Sequence, residues 1–364
     1  MGPADVGRPV HDLDTPVLLA DLAVVEANIA RLAAYCRDAG VQWRPHTKGQ
    51  KVPALAHKEI AAGAIGVTCA KLGEAEVMAA AGIRDILVAN QVVGTAKAVR
   101  LAALLAHADV MVTVDSVENA EELSLAVARR GRALRVLVEV NVGMNRAGLE
   151  PGRTAVRFAE KVSQLPGLRF TGFMGWEGHC GGIPDAADKR RAIEAAVGTL
   201  VTTAELGRQA GLPVSVVSCG GTSTFHVTAH IAGVTEVQAG GGIFGDVLYR
   251  TRGVDHPFGL TVLSTVTSRP TPTRIIVDAG RKALSVDVAL PRPKELAGVQ
   301  SVSLSAEHGR IELAEPTDAI HVGDRLEWVV GYGDTTVCLH DEMVGVRDGL
   351  VETVWPILGR GKLT

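Results

Sequence analysis

The sequence has few aromatic residues, no long hydrophobic run and no cluster of basic side chains. Phe, Trp and Tyr make up 4% of its 364 residues, and 37 basic side chains nearly balance 40 acidic ones. This charge pattern argues against nucleic acid and anionic membranes as main partners. No apolar stretch could span a bilayer, and the first 20 residues lack the basic and apolar regions of a secretory signal. We therefore expect a soluble, cytoplasmic protein.

The sequence also lacks paired cysteines. Its five cysteines contain no C-x-x-C motif and lie far apart, at positions 36, 69, 180, 219 and 338. This spacing argues against a disulfide framework or a cysteine zinc cage, and it favours reduced thiols in a cytoplasm. Glycine, in contrast, is abundant, with 41 residues. Many glycines permit tight turns and a close approach of backbone to ligand, which is typical of an enzyme rather than an interaction scaffold.

The first two thirds of the chain alternate short apolar runs with longer amphipathic stretches of helical periodicity. This alternation implies right-handed crossovers and a parallel sheet. Eight strands over about 200 residues predict a (β/α)8 barrel, with a doubly wound sheet as the alternative. The predicted strands are Val41–His46, Ile65–Ala70, Asp85–Asn90, Asp109–Val114, Leu134–Asn141, Arg169–Trp176, Val214–Cys219 and Glu236–Ala239.

The pattern changes after Gly253. From Leu260 onward, short alternating segments are separated by turns that contain Gly, Pro and Asp, and no long helix fits. This pattern predicts an antiparallel β domain. The predicted domains are a barrel over residues 16–253 and a β domain over 254–364 together with 1–15.

Three basic residues lie at the end of the first predicted barrel strand. Strand alternation would place Arg44, His46 and Lys48 on one face, at the barrel rim that holds active sites. Neighbouring cations lower the pKa of a lysine, so Lys48 is a candidate nucleophile that forms a Schiff base. A solvated basic strand end is the alternative. Lys51 is a competitor, but it falls where a helix should begin.

Two glycine-rich segments follow the seventh and eighth predicted strands. Loops at these positions bind phosphate in many barrels through backbone N–H groups and a helix N-terminus, although glycine also serves plain turns. No nucleotide P-loop motif is present. A reactive lysine combined with a phosphate site predicts pyridoxal 5'-phosphate as the cofactor. The candidate cofactor-binding residues in these segments are Ser218, Gly221, Thr222, Gly240, Gly241 and Gly242.

Eight ordered motifs, which span nearly the whole chain, resemble one known family. It is the D-threonine aldolase / D-serine dehydratase group of alanine-racemase-like (fold type III) pyridoxal phosphate enzymes. The resemblance implies an N-terminal barrel, a C-terminal β domain and a homodimer in which the partner chain completes each active site. The motifs are Arg44-Pro-His-Thr-Lys48, Glu74-Ala-Glu76, Val142-Gly-Met-Asn-Arg146-Ala-Gly148, Trp176-Glu-Gly-His179, Gly220-Gly-Thr222, Asp278-Ala-Gly-Arg-Lys-Ala-Leu-Ser285, Glu307-His-Gly309 and Leu339-His-Asp341.

The resemblance also implies roles for individual residues. Lys48 would carry the cofactor, and Arg146 would lie near its pyridine ring and phenolic oxygen. An arginine is never deprotonated, so it cannot keep a ring nitrogen protonated as a carboxylate does. His179 would be the general base or acid for a substrate hydroxyl, since its unperturbed pKa near ~6.5 fits that task. Trp176 would form a wall beside the cofactor. A surface arginine and a packed loop histidine are the alternatives.

The chain departs from the family pattern at the metal site. The family holds a divalent metal with a His-x-Cys or His-x-Asp segment, but here Tyr332 replaces the histidine before Asp334. A neutral phenol is a poor ligand for Mn²⁺, Mg²⁺ or Zn²⁺. Either His340 or Asp341 helps to recruit the metal, or the enzyme works without it. In the second case Tyr332 is a candidate catalytic acid or base.

The favoured function is a lyase that acts on a D-3-hydroxy amino acid and cleaves it to glycine and an aldehyde. One alternative is a dehydratase that removes the β-hydroxyl group of D-serine or a related substrate. Others are a metal-independent racemase, in which Lys48 and Tyr332 are opposed bases, and a transaldolase-like enzyme. A non-enzymatic cofactor carrier is disfavoured, because a carrier needs no second domain over the cofactor.

Overall fold

Eight parallel strands form a barrel in the computed structural model, which describes residues 5–364. In chain order the strands are β1 (Val17–Asp21), which lies outside the barrel, and then β2 (Gln42–Trp43), β3 (Val67–Cys69), β4 (Asp85–Gln91), β5 (Asp109–Val114), β6 (Leu134–Val140), β7 (Leu168–Gly175), β8 (Val216–Cys219) and β9 (Glu236–Val237). In the sheet they lie in the order β2-β9-β8-β7-β6-β5-β4-β3. A parallel bridge between His46, just after β2, and Thr68 in β3 joins the two ends of this order, and the N–H of Thr68 donates to the carbonyl of Pro45 at 2.8 Å.

The predicted barrel is therefore confirmed, and each of the eight predicted strands is present. Its interior contains a layer of apolar side chains from four neighbouring strands, namely Leu87, Met111, Leu137 and Met174. Long strands keep the predicted lengths, whereas β2 and β9 contain only two residues each. The chain leaves the ladder early at these two strands, so the segments that follow them are free to form turns.

Helices connect the strands, and local sequence signals define their ends. The hydroxyl of Ser116 accepts the N–H of Asn119 at the start of α5. Gly82, Gly131 and Gly211 have positive φ just after α3, α5 and α7, where a left-handed residue ends a helix. The helices are α1 (Leu22–Asp38), α2 (Pro53–Ala61), α3 (Leu72–Ala80), α4 (Thr95–Leu104), α5 (Val117–Ala128), α6 (Arg153–Ser163), α7 (Ala186–Gln209), α8 (Phe225–Thr228), α9 (Val247–Thr251) and α10 (Gly333–Val337). Within residues 5–364, none combines the length and apolar character needed to cross a bilayer.

A second, mostly antiparallel sheet contains the remaining strands. These strands are β10 (Leu260–Thr271), β11 (Arg274–Val277), β12 (Arg292–Pro293), β13 (Val299–Leu304), β14 (Gly309–Leu313), β15 (Arg325–Val329), β16 (Glu342–Arg347) and β17 (Leu350–Pro356), together with β1. The main order is β13-β14-β11-β10-β1-β16-β17, and β15 pairs with both β10 and β12. This arrangement confirms the predicted β domain, with one parallel pair, β1 with β16.

The chain divides into two compact units. The barrel unit comprises Ala30–Lys48, Pro53–Gly240 and Gly361–Thr364. The β unit comprises the chain up to Ile29, Gly49–Val52 and Gly241–Arg360. The predicted ranges, 16–253 for the barrel and 254–364 with 1–15 for the β domain, differ from these units. The difference at the N-terminal side arises because β1 pairs with β10 and β16 rather than with a barrel strand.

Candidate active site

Lys48 lies in a 3-10 turn, Thr47–Gly49, rather than in a strand. The hydroxyl of Thr47 donates to the carbonyl of Thr68 at 3.1 Å, which anchors the turn to β3. The N–H of Lys48 donates to Nδ1 of His46 at 3.3 Å, and the Lys48 side chain is half-buried. The lysine therefore follows β2 at the C-terminal end of the barrel, where barrel enzymes hold their active sites.

Arg44 does not lie with Lys48 at the C-terminal end of the barrel. The prediction that Arg44, His46 and Lys48 share one face is therefore wrong for Arg44. Its guanidinium is 2% exposed, and it donates to Glu236 at 3.1 Å and to Asp85 at 2.8 Å. These two carboxylates are the first residues of β9 and β4, at the N-terminal end of the barrel. The strand ends at Trp43, so strand alternation does not continue to Lys48. Arg44 is a buried structural cation with its charge compensated.

Trp176 packs against the first glycine segment. It follows β7, and a Cβ atom at Gly221 would overlap its ring. A Cβ atom at Gly178 would overlap the same indole from another position. Only glycine fits beside this indole at positions 178 and 221. The packing of Trp176 thus links the Trp-Glu-Gly-His motif to the first glycine segment. Buried hydroxyls accompany the segment, since Ser218 accepts the Nε2–H of Gln238 at 2.8 Å and Thr222 is 4% exposed.

The second glycine segment is shaped by close backbone contacts. A Cβ atom at Gly240 would overlap the backbone of His46, two residues before Lys48. The carbonyl of Gly242 accepts a hydrogen bond from Nδ1 of His256 at 2.7 Å. In the β unit, a Cβ atom at Gly241 would lie 2.8 Å from the hydroxyl of Tyr249. Packing thus accounts for glycine at 240 and 241, and the phosphate-binding role of this segment stays a prediction.

Arg146 and His179 lie on neighbouring segments of the barrel. The Arg146 loop leaves β6 and closes where the N–H of Leu149 donates to the carbonyl of Glu139 at 2.9 Å. A Cβ atom at Gly143 in this loop would lie 2.9 Å from Nε2 of His179, so the imidazole packs on the loop backbone. Both side chains are exposed in the single chain. The structure thus brings the His179 ring to the Arg146 loop.

The buried carboxylate of Glu139 and the half-buried carboxylate of Asp115 contact this loop, and the sequence did not single them out. The Nε2 of Gln91 donates to Glu139 at 2.5 Å and to Asp115 at 3.2 Å, and Asp115 also accepts the N–H of Gly148 at 2.9 Å. Burial raises the pKa of Glu139, and the charge of Arg146 opposes that shift. These groups fix the base of the Arg146 loop. Gln91 and Asp115 each come directly after a predicted strand, and Glu139 lies near the end of the next predicted strand, which was the signal available in the sequence.

In the β unit, Tyr332 belongs to a group that we call the phenol cluster, formed by buried Asp246 and Tyr249 and by half-buried Tyr332 and Asp334. The Tyr332 hydroxyl donates to Asp334 at 2.7 Å, and its ring meets Tyr249 edge-on at 5.9 Å. A Cβ atom at Gly49, the residue after Lys48, would overlap the Asp334 carboxylate. Burial, reinforced by the Asp334 charge, raises the pKa of Tyr332, so the phenol stays protonated at neutral pH.

Asp246 connects the members of the phenol cluster. It is 1% exposed, and it accepts the N–H groups of Tyr249 at 2.7 Å and Gly333 at 2.9 Å. It therefore fixes the turn that carries Tyr332 and Asp334. Burial raises its pKa to about 7 despite these hydrogen bonds.

The alternative metal ligands have other partners. Nε2 of His340 hydrogen-bonds to the carbonyl of Ala283 at 2.9 Å, and Asp341 forms an ion pair with Arg360. Burial lowers the pKa of His340. Among residues 5–364, no three His, Cys, Asp or Glu side chains are grouped so that they could hold a metal ion. The role of Asp334 as a ligand stays a prediction.

Known proteins resemble this chain over its full length. The family "Alanine racemase, N-terminal domain" matches residues 20–247, and the "Putative serine dehydratase domain" matches residues 259–346. The chain is 35% identical to a D-threonine aldolase of Arthrobacter sp, over 99% of this chain and 96% of that protein. It is 34% identical to a 3-hydroxy-D-aspartate aldolase of Paracoccus denitrificans (strain Pd 1222), over 99% and 95% of the two chains.

Solved structures agree with the sequence matches. The D-threonine aldolase of Filomicrobium marinum superposes with a TM-score of 0.97 at 35% identity, over 100% of both chains. The D-threo-3-hydroxyaspartate dehydratase of Delftia sp. HT23 gives a TM-score of 0.85 at 28% identity, over 96% of this chain and 98% of that one. The chain therefore belongs to the D-threonine aldolase / D-serine dehydratase family of alanine-racemase-like, fold type III enzymes.

Proposed function

We propose that the protein is a pyridoxal-phosphate-dependent lyase that cleaves D-3-hydroxy amino acids to glycine and an aldehyde. The order of the barrel strands supports this proposal most directly. Lys48 follows β2, and the two glycine segments follow β9, which pairs with β2, and β8, which pairs with β9. Lys48 and the two glycine segments that we propose to bind phosphate thus follow three strands that lie side by side in the barrel. Relatives named as aldolases match the chain from end to end.

The residues present fit the cofactor. Ser218 and Thr222 supply buried hydroxyls beside glycine backbone, a donor set suited to a phosphate group, and Lys48 supplies the amine. When bound, pyridoxal phosphate supplies an aldehyde for the amino group and an electron sink for bond cleavage at the α-carbon. Lys48 would hold the cofactor covalently, Trp176 would form a wall beside it, and Arg146 would lie near its ring. The second glycine segment, with Gly240, Gly241 and Gly242, would contribute to binding the phosphate.

His179 removes the proton of the substrate hydroxyl in this proposal. Its imidazole is exposed, packs on Gly143 and makes a 3.4 Å contact between Nε2 and the sulfur of Cys180. An accessible imidazole that can take up and release a proton suits general base catalysis. Aldol cleavage requires this deprotonation, because the departing fragment becomes an aldehyde.

Tyr332 acts as a hydrogen-bond donor or acid in this proposal. A phenol with a raised pKa stays protonated at neutral pH and already donates to Asp334. This favours a donor over the base required by a racemase. The phenol thereby takes the polarising task that a metal has in the family, and a metal bound through Asp334 is the competing arrangement.

Product analysis tests the proposed reaction. Full-length protein is incubated with D-threonine and with D-serine, with added Mn²⁺ or with EDTA. Aldol cleavage yields glycine and acetaldehyde from D-threonine. A keto acid and ammonia would instead identify a dehydratase, the second candidate, which the match to the putative serine dehydratase domain favours. An inverted enantiomer would identify a racemase.

The assembly and location are part of the same proposal. We propose a homodimer, as the family resemblance implies, and a cytoplasmic enzyme, as the scattered free cysteines suggest. Light scattering during size-exclusion chromatography measures the mass of the assembly. A monomeric mass at micromolar concentration would contradict the dimer.

A further inference from the structure

Glu177 is a buried carboxylate that the proposed chemistry does not use. It lies directly after Trp176 and is 0% exposed. Its Oε2 accepts the N–H of Gly220 at 3.2 Å, and its Oε1 accepts the hydroxyls of Thr224 and Thr228, each at 2.7 Å. It forms no ion pair within residues 5–364. Hydrogen bonds alone therefore compensate the burial of this carboxylate, which is otherwise strongly unfavourable.

These hydrogen bonds converge on the first glycine segment. The backbone of Gly220 is bonded directly to Glu177. The hydroxyl of Thr224 donates to Glu177 and accepts the N–H of Gly221 at 3.0 Å. Thr228 ties the same carboxylate to the end of α8. One side chain thus fixes both ends of the loop between Gly220 and Thr224.

We propose that Glu177 is a positioning residue that holds the Gly220–Thr224 loop in the shape that binds the phosphate of the cofactor. This inference rests on the proposed function, which places the phosphate at this loop. The negative charge of Glu177 opposes a phosphate dianion, so its contribution is not electrostatic attraction. Its contribution is the orientation of two backbone segments through one buried acceptor.

The hydroxyl variants Thr224→Val and Thr228→Val test this role without changing the charge of Glu177. Each replacement removes one hydroxyl that donates to Oε1 from a fully buried residue of nearly the same shape. Only Thr224 also accepts the N–H of Gly221. Thr224→Val therefore removes the link between Glu177 and Gly221, whereas Thr228→Val keeps it. Thr228→Val is for this reason the matched control.

The measured quantity is the dissociation constant of full-length, cofactor-freed protein for pyridoxal phosphate and for pyridoxal, which lacks the phosphate. For Thr224→Val we expect pyridoxal phosphate to bind about 10-fold to 100-fold more weakly, the loss typical of one hydrogen bond to a charged group. Pyridoxal affinity should change by less than about 3-fold, since it makes no phosphate contact. Thr228→Val should weaken pyridoxal phosphate by less than about 3-fold, because the loop keeps its bonds.

Several results would overturn the inference. Equal losses in the two variants, or equal losses for the two ligands, would mean that Glu177 contributes only to general stability. Thr224→Ser keeps the hydroxyl, so it should bind pyridoxal phosphate with the affinity of the unmodified protein. This variant is compared instead if Thr224→Val does not fold. Weaker binding of pyridoxal phosphate by Thr224→Ser would also contradict the role. If the unmodified protein bound pyridoxal as tightly as pyridoxal phosphate, the proposed phosphate site itself would be wrong.

Discussion

Replacing Tyr332 by phenylalanine removes one oxygen atom from the phenol cluster and leaves the ring in place. The lost hydroxyl donates to the Asp334 carboxylate at 2.7 Å. A hydrogen bond to a charged group contributes roughly 1.5–3 kcal/mol, so the free energy of unfolding should fall by about that amount. If the phenol also assists catalysis, turnover should fall by ~10²–10⁴-fold. This range corresponds to about 3–5 kcal/mol of activation free energy.

The assay is the release of acetaldehyde and glycine from saturating D-threonine, with bound cofactor measured in the same sample. Cofactor content should stay unchanged in Tyr332→Phe, because the variant keeps Lys48 and both glycine segments. Tyr249→Phe is the matched control, since it removes a neighbouring phenol of the same cluster while the bond between Tyr332 and Asp334 remains. We expect its turnover to fall less than that of Tyr332→Phe.

The effect of EDTA and Mn²⁺ on activity can refute the proposed role of Tyr332. In the proposed arrangement EDTA leaves the unmodified enzyme active. Tyr332→His places a histidine two residues before Asp334, and its activity should then respond to Mn²⁺. The reasoning fails if Tyr332→Phe keeps its turnover while EDTA abolishes the activity of the unmodified enzyme and Mn²⁺ restores it. His340→Ala would then show whether His340 leaves its carbonyl partner to bind the metal.

Three further predictions concern single side chains. Lys48→Ala should abolish the covalent label left by borohydride reduction, and a labelled peptide that contains Lys51 or Lys282 would contradict the assignment. Arg44→Met leaves the buried Glu236 carboxylate without its cation, while half-buried Asp85 keeps its ion pair with Arg135, so urea unfolding should show a loss of about 3–5 kcal/mol with unchanged cofactor affinity. Asp246 has a folded pKa of about 7 against an ordinary 3.8, so the folded protein binds more protons between these values and loses stability as pH rises through them. Asp246→Asn cannot ionise, so its free energy of unfolding should fall less between pH 5 and 8 than that of the unmodified protein, by ~3 kcal/mol at most.

The barrel could be predicted because each of its elements has a local signal. The run Asp109–Val114 is apolar and β-branched, and the strand has those bounds. Gly131 and Gly211 end their helices by a left-handed conformation that few other residues adopt. Barrel closure then makes the first strand a neighbour of the eighth, so motifs far apart in sequence meet at one rim. The positions of Lys48 and the glycine segments follow from this rule alone.

Side-chain direction could not be predicted in the same way. Arg44 points to the N-terminal end of the barrel because Asp85 and Glu236 are there, and neither is near it in sequence. Glu177 was visible within its motif, but its partners lie more than forty positions later in the chain. Asp246 likewise accepts an N–H from Gly333, which no local pattern relates to it. Buried polar contacts of this kind depend on the tertiary fold rather than on periodicity.

The pairing of strand β1 has a consequence for the order of events during translation. Its residues Val17 and Asp21 pair with Leu263 and Val346, which the ribosome adds roughly 250 and 325 positions later. At typical rates of synthesis, this delay is on the order of 10–60 s. The barrel strands emerge in the meantime, and all of them except β2 pair with a strand that lies within a few tens of residues. The apolar segment β1 is thus made long before its partners, and its side chains remain exposed on the nascent chain until β10 and β16 have been made.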